Sequence, residues 1–127
     1  MRDSAKVPVV TWHEIYSTKV EQCIAFYQKT MGWECRDSGM PDMDYQMFFD
    51  GDEPVAGVLD AKYLPEGATS LWLTYLGCSD VDKTLEIAKG LGAIVVDGPM
   101  DIPGVGRVVT IKDASGALVS LHQPSAT

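Results

Sequence analysis

Glu14 is the residue of this sequence best placed to do chemistry. Its carboxylate lies in the middle of a predicted strand whose neighbours are mostly apolar. Burying such a charge is costly unless it is paired or used. The pattern predicts a general base or an anchor for a cationic ligand. The alternative is a structural pairing with Arg107 or with a backbone amide.

The two histidines of the chain have different interpretations. His122 lies near the end of the last predicted strand, where an imidazole could transfer protons near neutral pH. The alternative for His122 is a surface position or a contact in a dimer. His13 is predicted to be a partly buried structural histidine on the helix-facing side of its strand. We therefore name Glu14 and His122 as the candidate catalytic residues.

A second group of residues, mostly aromatic, could bind a ligand. Aromatic rings stack on planar groups and attract cations, and an arginine could clamp an anionic group. Ordinary core packing is the alternative for each aromatic residue. The predicted ligand-binding residues are Trp12, Tyr16, Tyr45, Met47, Tyr75, Arg107 and Ser120.

The sequence lacks the usual spacing of a calcium, dinucleotide or nucleophile site. An acidic cluster near position 50 does not follow the order of an EF-hand, which favours a solvated loop. Gly104 and Gly106 lack the third glycine of a dinucleotide loop, which favours a turn. No Ser or Cys has an evident His and carboxylate arranged behind it. The acidic cluster consists of Asp42, Asp44, Asp50, Asp52 and Glu53.

Charge and length narrow the class of partner. A chain of 127 residues can bury the core of a single domain. The formal charge of −8 and the pI near 4.5 argue against a nucleic-acid partner and favour a neutral or cationic small ligand. The sequence has neither a secretory signal nor an apolar run of membrane-spanning length, so we expect a cytoplasmic protein without a membrane partner. Three cysteines, Cys23, Cys35 and Cys78, are expected to be reduced thiols.

The elements that must position these residues occur twice. Each copy begins with a strand and a helix, and the second copy follows the first at an offset of about 60 residues. Three strands follow each helix, so each copy is a βαβββ module. Within the single domain of residues 1–127, we expect a first module at about 7–62, a connector at about 63–69 and a second module at about 70–124. A ligand site is expected in the cleft between two such modules.

The helix ends and loops carry specific signals. Thr18 and Glu21 predict a capping box for the first helix, which Gly32 ends. Ser79 is the predicted cap of the second helix, which Gly92 ends. The stretch from Gly98 and Pro99 to Gly106 is predicted to be a loop. The predicted strands are 7–16, 33–37, 45–49 and 54–60 in the first module and 71–75, 93–96, 107–112 and 117–122 in the second.

These motifs resemble the vicinal oxygen chelate superfamily, which includes glyoxalase I, bleomycin-resistance proteins and extradiol dioxygenases. The resemblance implies an α+β fold, in which the two βαβββ modules form a cupped mixed sheet with the site on the concave face. Strand alternation then places Trp12, Glu14 and Tyr16 in the cup and turns His13 and Ile15 toward a helix. The resemblance rests on Trp12-His-Glu14-Ile, Phe26-Tyr27, Gly32-Trp33, Val55-Ala-Gly57-Val58, Trp72-Leu-Thr-Tyr75, Gly98-Pro99, Asp101-Ile-Pro103-Gly-Val-Gly106-Arg107 and Asp113-Ala-Ser-Gly116.

The resemblance also implies where metal ligands would lie in the metal-dependent members. The corresponding residues here are Trp12, Gly57, Leu73 and Ser120. A catalytic divalent metal needs about three ligands from His, Asp, Glu or Cys, and a weak Ser hydroxyl cannot supply them. We therefore predict no metal and no cofactor. The alternative is an unorthodox metal site that includes Glu14 and His122.

Two hypotheses for function remain open. The first is a small-molecule-binding protein of the drug-sequestration or metabolite-binding type, which holds a cationic or aromatic ligand in the cup without metal. The second is a glyoxalase-like lyase or isomerase, or a dioxygenase-type enzyme, that uses Glu14 as a base or a non-standard metal site. A homodimer is implied by the resemblance alone.

Overall fold

The computed structural model describes residues 7–40 and 45–125. In this part of the chain the elements follow the order that the repeat predicts, so the two βαβββ modules are confirmed. A single 3-10 turn at Ala61–Tyr63 follows the first module. The elements are β1 (Val10–Ser17), α1 (Val20–Met31), β2 (Glu34–Asp37), β3 (Gln46–Asp50), β4 (Glu53–Asp60), β5 (Leu71–Gly77), α2 (Val81–Gly90), β6 (Ile94–Ile102), β7 (Gly106–Lys112) and β8 (Leu118–Pro124).

The strands of the described residues form one eight-stranded sheet in the order β2-β3-β4-β1-β5-β8-β7-β6. β1 pairs with β4 in parallel, and β5 pairs with β8 in parallel. The hairpin pairs β2 with β3, β3 with β4, β6 with β7 and β7 with β8 are antiparallel. The sheet is therefore mixed, as the α+β prediction requires.

The chain divides into two compact units. The first, called the Glu14 unit, comprises residues 13–73. The second, called the His122 unit, comprises the described residues 7–12 and 74–125. Each unit has its own hydrophobic core.

The core of the Glu14 unit lies between its sheet and α1. Ile15 packs toward the helix as strand alternation predicts, together with Phe48, Ala56 and Val58. From α1, four residues at helical spacing pack against this cluster, namely Val20, Cys23, Ile24 and Tyr27.

The start of α1 differs from the predicted capping box. Lys19 is the N-cap residue, and it makes no side-chain capping bond. The hydroxyl of Thr18 lies 3.3 Å from the hydroxyl of Ser70, and the Thr18 amide donates to the same oxygen. The Thr18 hydroxyl thus has a hydrogen-bond partner 52 positions away in the chain, and the sequence near Thr18 does not indicate this partner. The predicted end is confirmed, since Gly32 adopts φ +72° and its amide donates to the carbonyl of Gln28.

In the His122 unit, α2 packs through Val81 and Leu85 onto the sheet residues Val109, Ile111 and Leu121. The cap of α2 is Asp80 rather than Ser79, because the Asp80 carboxylate accepts from the amide of Lys83 at 3.1 Å. A carboxylate at this position also interacts favourably with the helix dipole.

The predicted loop at 98–106 is wrong in its first half. β6 continues through Gly98 and Pro99 to Ile102, and it pairs with β7 with register shifts between Val95 and Asp97 and between Asp97 and Met100. An edge strand can contain a proline at such irregularities, although proline has no amide proton to donate to the neighbouring strand.

Among the described residues, neither helix has the length and apolar character that a membrane span requires.

Candidate functional site

Glu14 is buried in the Glu14 unit and is held by two phenols. Its side chain is 7% exposed. The hydroxyl of Tyr16 donates to Oε2 at 3.0 Å, and the hydroxyl of Tyr45 donates to Oε1 at 3.0 Å. Hydrogen bonds donated to a carboxylate stabilise negative charge and fix its orientation. Three residues that were predicted from the sequence to form the site, Glu14, Tyr16 and Tyr45, are therefore in contact.

Gly57 is what allows Tyr45 to reach this carboxylate. Gly57 is the register partner of Glu14 across the parallel β1–β4 pair. A Cβ built on Gly57 would overlap the Tyr45 hydroxyl and come within 2.7 Å of the ring carbons Cζ and Cε1. Real Cβ atoms do not approach other atoms this closely, so a side chain at position 57 and the observed position of Tyr45 exclude each other.

Met47 completes the polar and aromatic row on this part of the sheet. It pairs in register with Gly57 across the β3–β4 hairpin and is half-buried. Tyr45 lies two residues before Met47, so their side chains share one face of the sheet.

Trp72, which lies on the opposite face of its strand from Leu73, donates from its indole to the Tyr27 hydroxyl of α1 at 3.0 Å.

His122 occupies a closed polar cluster in the His122 unit. Its Nε2 lies 2.7 Å from the carbonyl oxygen of Val105, and its Nδ1 lies 2.7 Å from Oγ1 of Thr11. Because a carbonyl can only accept, Nε2 carries a proton. The ring also meets Tyr75 edge-on at 6.2 Å between centroids. His122 is 7% exposed, so the surface position that was its alternative interpretation is wrong.

Ser120 lies beside this cluster and is fully buried. Its hydroxyl is 2.7 Å from that of Thr110, and its register partner on β5 is Tyr75. Thr11, Val105 and Thr110 were not predicted from the sequence. Neither a threonine in a strand nor the backbone carbonyl of a turn carries a sequence signal for such a role.

The structure also gives the burial or the partners of other residues that the sequence singled out. His13 is exposed rather than partly buried. The guanidinium of Arg107 pairs with Asp82 at 3.0 Å and with Asp101 at 3.3 Å, so the suggested pairing with Glu14 is wrong. Trp12 is half-buried in the His122 unit. Of the acidic cluster, Asp42 and Asp44 lie outside the described residues, while Asp50, Asp52 and Glu53 are exposed.

A cavity of about 450 Å³ opens elsewhere in the Glu14 unit. It is lined by Thr18 and by residues 60–62 and 64–68, which belong to the end of β4, the 3-10 turn and the connector. None of the predicted site residues lines it. It contains no buried charged group, so it offers less chemistry than the buried carboxylate of Glu14.

The three cysteines are free, and burial raises the pKa of each thiol above its usual value. A raised pKa keeps the thiol protonated near neutral pH, and the thiolate is the reactive form. We therefore expect iodoacetamide to alkylate the native chain at least ~10-fold more slowly than the denatured chain. Mass spectrometry of timed samples measures both rates. Equal rates would show that the native thiols are as accessible and as readily ionised as those of the denatured chain, which would contradict the expectation.

A model of the Glyoxalase/Bleomycin resistance protein/Dioxygenase superfamily matches residues 9–121. The chain belongs to this superfamily. It is the vicinal oxygen chelate superfamily that the sequence motifs resemble, and the mixed sheet of two βαβββ modules is its fold.

Curated relatives agree with this membership, and a solved structure shares the fold. The Mycobacterium bovis protein named "Putative glyoxylase CFP32" is 30% identical over 115 residues, which cover 90% of this chain and 43% of that protein. The "Anthracycline biosynthesis protein DnrV" of Streptomyces peucetius is 30% identical over 108 residues, which cover 85% and 38%. The chain thus spans less than half the length of these two curated relatives. A methylmalonyl-CoA epimerase from Mycobacterium tuberculosis superposes with a TM-score of 0.60 at 19% identity, covering 98% of this chain and 93% of that one.

Some members of the superfamily depend on a metal, and the residues around Glu14 do not fit one. Within residues 7–40 and 45–125, no group of three His, Cys, Asp or Glu side chains is arranged to hold a metal ion. At position 57, the space that a ligand side chain would need is filled by the phenol of Tyr45. Among the described residues, Glu14 therefore lacks the roughly three protein ligands that a catalytic metal needs.

Proposed function

We propose that this chain is a small-molecule-binding member of the superfamily that holds an organic ligand at Glu14 without a metal ion. The observation that carries the proposal is the buried Glu14 carboxylate, with one tyrosine hydroxyl bonded to each of its oxygens. A buried carboxylate with a fixed orientation is suited to pair with an N–H group or a cation of a ligand.

The charge and the composition around Glu14 favour a cationic or aromatic ligand. The chain carries a formal charge of −8, which attracts cations over a distance. Tyr16, Tyr45 and Met47 line the same part of the sheet as Glu14. Aromatic rings beside a carboxylate are a common way to bind an organic ammonium group, and the sulfur of methionine packs well against flat ligands.

Catalysis is the second candidate function. The relative named as a glyoxylase and the structural neighbour that is an epimerase support it, because both names describe enzymes that act on small molecules. In that case Glu14 would act as the base. The two phenols favour an anchor over a base, because each oxygen of the carboxylate already accepts a hydrogen bond. Homodimer formation and a cytoplasmic location stay predictions.

Replacing Glu14 by Gln tests the proposal directly. The amide keeps the size of the side chain and loses the charge, so we expect binding of a cationic ligand to weaken by at least ~10-fold, the usual scale for a charged hydrogen bond. The probes are bleomycin, an anthracycline and a set of small aromatic amines, first screened by thermal shift on the wild-type chain. Isothermal titration calorimetry then gives Kd for each variant.

Glu53→Gln is the matched control, because Glu53 is exposed and its loss removes the same charge. We expect this variant to bind as the wild type does. Equal weakening by both substitutions would show a general charge effect and contradict a specific role of Glu14. Turnover of a substrate that Glu14→Gln abolishes while its Kd is kept would favour the enzyme.

A further inference from the structure

Residues of three neighbouring strands lie side by side next to Glu14, and the side chain of Tyr45 fills the space above one of them, Gly57. Met47, Gly57 and Glu14 are register partners across β3, β4 and β1. Neighbouring strands lie about 4.8 Å apart, so a side chain on residue 57 would stand directly beside the carboxylate. Gly57 has none, and the Tyr45 ring lies over it instead.

Tyr45 therefore has two effects on the carboxylate at once. Its hydroxyl occupies one lone-pair direction of Oε1. Its ring occupies the space from which a second protein ligand could approach. At 8% exposed, Tyr45 is itself buried.

We propose that Tyr45 sets the specificity of this site: its phenol, seated over Gly57, excludes divalent metal ions from Glu14 and reserves the carboxylate for an organic ligand with N–H or O–H donors. The proposal rests on the proposed function, since it names the ligand class for the same carboxylate. A divalent cation must displace the phenol hydrogen bonds and still find about three protein ligands. An organic donor needs only one directional bond, which can replace a phenol bond of similar strength.

Manganese binding by variants of the full chain tests the proposal. Tyr45→Ala combined with Gly57→Glu removes the ring and places a second carboxylate beside Glu14. We expect this double variant to bind Mn²⁺ at least ~10-fold more tightly than the wild type, because added carboxylate ligands raise the affinity for hard cations. Electron paramagnetic resonance measures free Mn²⁺ directly. Adding Glu14→Gln to the double variant should abolish the gain.

Tyr63→Ala is the control for removing a tyrosine, because Tyr63 is exposed in the same unit. We expect it to bind Mn²⁺ no more tightly than the wild type does. Should the double variant fail to fold, Gly57→Asp in the Tyr45→Ala background is the replacement, since it carries a shorter carboxylate. Circular dichroism establishes folding for each variant.

Two results would overturn the proposal. One is stoichiometric Mn²⁺ or Zn²⁺ binding by the wild type at micromolar concentration. The other is a folded double variant that binds Mn²⁺ no more tightly than the wild type. Failure of the proposed function has a different signature, because the organic probes would then leave the wild type unshifted while the Mn²⁺ results stand as expected.

Discussion

Gly57→Ala is expected to lower the free energy of unfolding by about 3 kcal/mol and Tm by about 10 °C. The new Cβ would overlap the Tyr45 hydroxyl, so the ring must move away from Glu14. The substitution therefore adds overpacking to the loss of a hydrogen bond to a buried carboxylate. Urea denaturation and thermal melting measure the change.

Gly90→Ala is the matched glycine control. A Cβ there meets nothing within 4 Å, and helix α2 gains a better helix former, so stability should be unchanged or slightly raised. The Tyr45→Ala background provides a second check, because the obstructing ring is then absent. Gly57→Ala should cost less than about 1 kcal/mol in that background, and the difference between the two backgrounds is the coupling energy. Equal costs in both backgrounds would show that Tyr45 does not fill the space above Gly57.

His122→Ala is expected to lower the free energy of unfolding by about 3 kcal/mol. The substitution leaves a cavity in the His122 unit and removes the bonds to Thr11 and Val105, each 2.7 Å long. The Val105 carbonyl keeps the longer bond from the amide of Ser125 at 3.2 Å. The lost stability should appear as a lower urea midpoint, with little change in the slope of the free energy of unfolding against urea concentration.

His13→Ala is the control, since it removes the other histidine of the chain from an exposed position. Its effect should stay within about 0.5 kcal/mol. Thr11→Val tests one hydrogen bond of the cluster by itself, because it removes the hydroxyl and keeps the side-chain shape. We expect it to lower the free energy of unfolding by about 1 kcal/mol. If His122→Ala is as mild as His13→Ala, then the closed cluster contributes nothing to stability.

The order of the elements and the direction of Ile15 could be predicted from the sequence. Strand alternation placed Ile15 toward the helix, where it packs in the core. The end of α1 at Gly32 could be predicted because glycine tolerates φ values that other residues avoid. These signals are local, so a few neighbouring residues suffice to read them.

Helix starts and the irregular strand were predicted less well. Thr18 has the side chain of a cap, yet its hydroxyl meets Ser70. Gly98 and Pro99 are typical of a loop, yet they lie within β6. In both places an interaction formed by the folded chain outweighs the local preference of the residue.

The sequence by itself carried the motifs that resemble the superfamily and singled out Glu14 and His122, because motifs, strand patterns and a charge in an apolar strand can be read from short segments. Only the tertiary structure decided which groups hold them. The phenol of Tyr45 comes from 31 residues away to hold Glu14, and Thr11 comes from 111 residues away to hold His122. Such partners depend on the register between strands that are distant in the chain, which no local pattern specifies. The missing side chain of Gly57 became meaningful for the same reason, since its place opposite Glu14 and beneath Tyr45 exists only in the folded sheet.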